Sequence, residues 1–316
     1  MLGEVELIER LKSRLPSACT PAGIGEDCAV VKLPEGYAVL TSDTMVEGSH
    51  FLPGWKEKVA NLHYLLGRKL VSISLSDIAS TGGTPGWALV TVGVSPETTE
   101  SELYELYDGI GDACAEFGCR VVGGDTVASK VRFFSSTVVG SARAFMLRRR
   151  ASAGELVAVT GCLGDALAGL EILLKNLPFN RHLVMRLLNP TPRLKEGALA
   201  LKAGVKCAID VSDGLLFSLY LVAKASGVSI HIDKGSIPVS PELVEFAGKE
   251  KALDYAMFGG EDYELVITLP QRLLTVLEQA GFKVIGEVRE GCGVFVNGER
   301  VKPQGFDHLR HLENIR

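Results

Sequence analysis

The chain has 316 residues, enough for two ordinary domains or one large one. It is 47% hydrophobic and 22% charged, so it can bury a sizeable core. A formal net charge of -5 argues against broad nucleic-acid binding, which needs a basic face, and no apolar run approaches the length of a membrane span.

Residues 4–15, in "MLGEVELIERLKSRLP", read as an amphipathic helix of mixed charge rather than a targeting sequence. Residues 27–33 and 37–42 are strand-like, with a Pro-Glu-Gly turn at 34–36. Residues 57–81 suit one long helix or a broken pair, followed by the turn "GGTP" and the strand "WALVTVGV". "SPETTESELYELYDGIGDACAEFG" opens with turn and cap residues and continues as a helix ending near Gly118. "RVVGGDT" reads as a short strand into a Gly-Gly turn, and "VRFFSSTVVGSA" as another strand. Around 143–155 the chain turns basic and loop-like, which puts a domain boundary near 146. Strands then come from "LVAVTG", "CAIDVSDGL", "VSIHID", "ELVITLP" and "FKVIGEV". Helices come from "CLGDALAGLEILLK", "NPTPRLKEGALALKAG" (after its Pro-rich start), "LFSLYLVAKASG" and "LLTVLEQAG". Strands and helices alternate on both sides of the boundary, so each half is mixed α/β.

The seven cysteines include no C-x-x-C pair and none near His at zinc-finger spacing. They read as reduced thiols, mostly buried, in a reducing cytoplasm. The acidic residues are more informative. Asp27, Asp43, Asp77, Asp125, Asp210, Asp213, Glu261 and Asp262 follow apolar strands or sit in turns of small residues. Small neighbours let the backbone approach a ligand, and a short Asp side chain has little freedom to lose there. Oxygen donors of this kind suit magnesium, which bridges carboxylates and substrate phosphates, and do not suit zinc. If four or more such carboxylates converge, they repel one another and call for several cations. Any single Asp before Gly, Ser or Thr is more often a turn or cap residue; repetition of the pattern weakens that alternative without removing it, since composition alone does not show convergence.

Familiar nucleotide and hydrolase signatures are absent: there is no G-x-x-x-x-G-K-[ST], no H-E-x-x-H and no G-x-S-x-G. His50 is either a loop histidine or a substrate contact close after Asp43 and Glu47. Arg148, Arg149 and Arg150 are either a solvated run or the source of a phosphate-binding fork. Tyr107, on pattern alone, is helix packing.

In order, "GIGEDCAV", "TSDTMVEGSHF", "SLSDIASTGGTP", "VVGGDTV", "VTGCLGDALAGL", "NPTPR", "AIDVSDGL", "FGGEDYELV" and "GFDHL" span residues 23–309. The series resembles the thiamine-monophosphate kinases, within the aminoimidazole ribonucleotide synthetase superfamily. "VEGSHF", "GGEDYEL" and "GFDHL" favour that family over its relatives. The resemblance implies an α/β (α+β mixed), two-domain synthetase-like fold. Residues 1–146 would be an ATP- and magnesium-binding, dimerising domain contributing strands to a dimeric β-barrel. Residues 147–316 would be an α/β domain completing the active site. The implied reaction is ATP-dependent phosphorylation of thiamine monophosphate, in the cytoplasm, by a homodimer that binds neither nucleic acid nor membrane.

The resemblance also assigns roles. Asp27, Asp43, Asp77, Asp125 and Asp210 would hold several Mg2+ ions, with Thr41 and Ser42 as further oxygen ligands and Asp213 as a further metal contact. Tyr107, Gly124, Asp125, Arg148 and Ser212 would contact ATP. His50, Glu261 and Phe306 would contact thiamine monophosphate. Many members carry Gly-Asp-Asp where this chain has Gly25, Glu26 and Asp27. Arg148 fits its role by spacing, with Arg149 the alternative, and Glu26 and Glu47 receive none. The runner-up activities are another ATP-dependent reaction of the superfamily and non-enzymatic nucleotide binding.

Overall fold

The computed structural model describes residues 3–16, 19–303 and 305–306. Helix α1 (Glu4–Lys12) precedes the hairpin of β1 (Ala29–Lys32) and β2 (Tyr37–Val46). Gly36 closes that hairpin at φ 73, a conformation that glycine adopts without a Cβ clash. Helix α2 (Leu62–Thr81) is one continuous helix, buried over almost its whole length, and stops at Gly82 in the left-handed conformation. Strand β3 (Thr84–Val94) follows. Helix α3 (Glu100–Phe117) begins with a Thr99/Glu102 capping box and ends at Gly118 with φ 74. Strands β4 (Arg120–Ala128) and β5 (Phe133–Ala142) complete a five-stranded sheet in the order β1-β2-β5-β3-β4. Only β3 and β4 pair in parallel, as their crossover through α3 requires.

One local expectation fails. Gly123 and Gly124 do not form a turn, because β4 continues through them to Ala128, with a bulge against β3 at Val122 just before them. The glycines serve a close strand approach instead: a Cβ on Gly124 would lie 1.7 Å from the Val90 carbonyl oxygen.

The second half holds β6 (Leu156–Val159), α4 (Asp165–Leu174), α5 (Arg181–Leu188), α6 (Leu194–Ala203) and β7 (Cys207–Asp210). It continues with α7 (Leu215–Ser226), β8 (Ser229–Ile232), α8 (Pro241–Ala247), α9 (Lys249–Phe258) and β9 (Leu265–Leu269). It closes with α10 (Leu274–Gln279), β10 (Lys283–Arg289), β11 (Gly293–Val296) and β12 (Glu299–Val301). Its seven strands order as β12-β11-β8-β10-β6-β9-β7, antiparallel except for β8 and β11. Helices α5, α8 and α9 and strands β11 and β12 are additional to the elements expected from the sequence.

Helix α2 joins the two halves. It packs on β2 and β5 of the first sheet and on β7 and α6 of the second half. An apolar core of Leu66, Leu70, Val138, Ile172 and Leu187 runs between them. A helix covered on every side shows no amphipathic stripe, and its polar residues must find partners inside the protein.

Candidate active site

Strand alternation and helix position bring the acidic motifs together. Thr41 and Asp43 project from the same face of β2 toward α2. The Thr41 hydroxyl donates to Asp77 on α2. Ser74 Oγ, also on α2, lies 2.8 Å from Asp43 Oδ2, and Ser76 Oγ lies 2.7 Å from Asp210 Oδ2 at the end of β7. Three carboxylates from three elements are thus each held by a hydroxyl, two of these from one short segment of α2. Asp27 enters from the loop before β1 and pairs with Arg148.

The electrostatics show convergence. Burial, then Asp43, Asp210 and Asp27, push the Asp77 carboxyl well above the usual carboxylate range. Burial, then Asp27 and Asp43, do the same to Asp210 against the Ser76 hydrogen bond. Burial and Asp27 also raise Asp43. The Cys28 thiol, buried beside all four, is pushed up by burial and by Asp77, Asp27, Asp43 and Asp210.

The carboxylate and hydroxyl oxygens gathered here are the donors magnesium prefers, and the one nearby thiol, Cys28, is held protonated by burial and by those acids. Among the described residues, no three His, Cys, Asp or Glu side chains form a ready cage for one ion.

The arginine run divides. Arg148 is largely buried on Asp27 and lines a cavity of about 360 Å³ with Gly25, Ser212, Asp213, Lys224 and Phe306. Arg149 turns away to Glu26 and to the Pro21 carbonyl oxygen. Glu26 thus holds Arg149, accepts from the Arg148 backbone N–H at 2.9 Å, and itself lines the cavity.

A second cavity, of about 620 Å³, adjoins the first at Asp210, Ser212, Asp213 and Phe306. Ser42, Asp43 and Asp77 line its acidic side, and Leu167, Leu170, Leu187 and Phe258 its apolar side. His50 and Glu261 also face it. The His50 ring accepts the Val46 N–H at Nδ1, 3.1 Å away, so a neutral His50 carries its proton on Nε2. Glu47, without a role on sequence grounds, fixes the turn that presents His50. It pairs with buried Arg132 at 2.6 Å, and its N–H donates to the Arg132 carbonyl oxygen at 2.9 Å.

The segment "GGEDYEL" puts its acids to three uses. Asp262 accepts from Gly164 and Ala166 N–H at the start of α4, at 2.7 and 3.3 Å. Buried Glu264 pairs with Arg186 and Arg193, at 2.8 and 2.5 Å, and so ties "NPTPR" to the same segment. Glu261, at φ 66, reaches the cavity and meets Lys69 of α2.

Not every expected residue gathers here within one chain. Asp43 pairs in register with Ser136 on β5, Ser136 with Val90 on β3, and Val90 with Gly124 on β4. Three strand spacings of ~4.8 Å separate the ends of that row. Asp125 sits one position further, in the row of Thr44, Ser135 and Thr91, so it projects from the other face of the sheet. Asp125 and Gly124 are exposed, as is Tyr107 on α3, and none lines either cavity. Phe306 lines both cavities, while the Asp307–Leu309 part of the last motif lies outside the described residues. Ser74, Ser76 and Lys69 carry no signal in the sequence beyond polar residues inside an apolar helix.

The sequence profile of the AIR synthase related protein, N-terminal domain, matches residues 25–142, and that of the C-terminal domain matches residues 152–299. The thiamine-monophosphate kinase of Aquifex aeolicus (strain VF5) is 36% identical over 98% of both chains. That of Escherichia coli (strain K12) is 34% identical over 97% of this chain and 98% of its own. The solved structure of AaThiL complexed with AMPPCP and TMP superposes with a TM-score of 0.89, at 35% identity, over 97% of each chain. The chain belongs to the thiamine-monophosphate kinase family, with the two-domain mixed α/β fold of the AIR synthase related proteins.

Proposed function

We propose that the chain transfers the γ-phosphoryl group of ATP to thiamine monophosphate, giving thiamine diphosphate and ADP. One observation carries the reading: two cavities meet at Asp210, Ser212 and Asp213, one bearing Arg148 and the other an apolar wall with His50 and Glu261. A nucleotide fits the first, and a phosphate ester with a flat heterocyclic body fits the second. The relative solved with AMPPCP and TMP supports the same pair of ligands.

A phosphate oxygen of the acceptor attacks the γ-phosphorus, a P–O bond forms, and the bond to ADP breaks with its electrons leaving on the ADP oxygen. The attacking oxygen is already ionised near neutral pH, so no general base is assigned. Catalysis rests mainly on positioning two anions. Asp27, Asp43, Asp77, Asp125 and Asp210, with Thr41, Ser42 and Asp213, are the residues to hold Mg2+ ions. Bound magnesium supplies charge neutralisation between the two sets of phosphates. Arg148 and Ser212 hold the nucleotide, with Tyr107 and Gly124 as further contacts. His50 donates from Nε2 to the acceptor, Glu261 accepts from it, and Phe306 packs on its ring.

The chain divides at 146/147, with residues 1–146 dimerising and residues 147–316 completing the site. Trp87 and Leu89, 57% and 46% exposed, share the open face of the first sheet with Asp125. Covering that face with a second copy, as a shared β-barrel, brings Gly124, Asp125 and Tyr107 to a nucleotide. All seven cysteines are free thiols, which supports a cytoplasmic setting.

A coupled ADP-release assay tests the reading. ADP release with ATP and magnesium should require thiamine monophosphate and should yield thiamine diphosphate. Release driven equally by an aminoimidazole precursor or selenide, or indifferent to thiamine monophosphate, would sink it.

A further inference from the structure

We propose that Lys69 is the positioning residue for Glu261 and that it governs affinity for the phosphate acceptor, not for the nucleotide. This inference rests on the acceptor reading of the larger cavity.

Lys69 lies one helical turn before Ile73 and two before Asp77, on the α2 face directed at that cavity. It is fully buried, with 0% exposure, and it does not itself line the cavity. Its Nζ lies 2.9 Å from Glu261 Oε1, off the hydrogen-bonding direction, and among the described residues no acceptor completes its coordination. A buried ammonium is costly unless a counter-charge is held close. Glu261 is the carboxylate set there.

Glu261 is the other half of the pair. Its side chain is 25% exposed and opens into the cavity. One end of the pair is dry, and the other faces ligand. The Glu261 backbone sits at φ 66, where a non-glycine residue stays only if its surroundings over-determine it. Its N–H donates to the Ser212 carbonyl oxygen at 2.6 Å, which fixes the main chain but leaves the side chain free to choose a direction. Its neighbours Asp43, Asp210 and Asp213 act with it on the Tyr263 phenol, so all four acids share one small region. Lys69 holds one of them by its ammonium, at a cavity whose lining also includes Leu167 and Leu170. A carboxylate held there is placed to accept from an N–H on the heterocyclic body of the acceptor. Because α2 belongs to the first half of the chain and Glu261 to the second, the pair also bridges the two halves.

The test uses the full chain and the ADP-release assay, with ATP and thiamine monophosphate varied separately. Lys69→Met should raise KM for thiamine monophosphate by about tenfold or more, with kcat and the ATP KM within about threefold of wild type. Lys69→Arg should recover part of the loss. Glu261→Gln should raise the acceptor KM similarly, and adding Lys69→Met to it should cost no more than about twofold further. Equal loss of both KM values, a kcat defect with an unchanged acceptor KM, or additive single variants would overturn the proposal. If Lys69→Met does not fold, the Lys69→Met/Glu261→Gln variant removes both charges and carries the test. Wild-type acceptor affinity in that variant would refute the role. A wild-type chain that releases no ADP with thiamine monophosphate overturns the kinase reading itself, whereas a normal wild type with the wrong variant pattern overturns this inference alone.

Discussion

Asp43 shows what the site costs the fold. Its carboxyl is buried, carries one hydroxyl donor, and lies near Asp27, Asp77 and Asp210, so burial and like charge both oppose its ionisation. Asp43→Asn removes one of these charges and keeps the shape. It should leave the melting temperature unchanged or higher while lowering turnover about 100-fold, the scale of a few kcal/mol of lost charge stabilisation. Calorimetric melting and ADP release at limiting magnesium measure both sides, and near-normal turnover there would refute the assignment. Residues of this kind are legible in sequence, because a short acid between small neighbours after an apolar strand is unusual. Their supports are not. Ser74 and Ser76 look like ordinary helix residues until α2 proves to be buried on every side. Glu47 needs Arg132, which lies 85 residues away in the chain, before its role as a prop for the His50 turn makes sense.

Helices α2 and α3 meet through glycines. A Cβ on Gly67 would lie 2.0 Å from the Leu106 carbonyl oxygen, and one on Gly109 would lie 1.9 Å from that of Tyr64. Neither glycine has positive φ, so each is there for distance between backbones. Gly109→Ala should therefore force the helices apart and destabilise the chain by about 1–3 kcal/mol or more, read by urea denaturation. An unchanged midpoint would show that α3 can shift at no cost. Because α2 carries Lys69 and Asp77, the same variant should lose activity at temperatures where it is still folded. The same logic explains which elements the sequence announces. Long helices with caps, such as α3, and apolar strands, such as β9, are plain from pattern. The Gly123-Gly124 pair misleads because a turn and a close strand approach ask for the same residue. Helices α5 and α8 do carry local start signals, the Asn180 cap and the Ser240–Pro241 pair, which only the structure brings into notice.

At the scale of the molecule, one face of the first sheet has nothing over it among the described residues of the single chain. Trp87 and Leu89 stand exposed on it, and β4 is solvent-exposed at every residue. An open apolar sheet face with an unpaired edge invites association. Asp125 projects from this face and Gly124 lies beside it on β4, although the resemblance ties both to the nucleotide. Under the proposed function, a second copy would both cover the bare face and bring Asp125 and Gly124 to the nucleotide. The wild-type chain should sediment at twice its 33.8 kDa mass. Trp87→Glu with Leu89→Asp should give the single-chain mass while keeping the helical circular-dichroism signal. The ATP KM of that monomer should rise by about tenfold or more, since Asp125 and Gly124 no longer reach the nucleotide, while the acceptor KM should hold because His50, Glu261 and Phe306 come from one chain. A wild-type monomer with full activity would separate the bare face from the site and leave Asp125 without a nucleotide role.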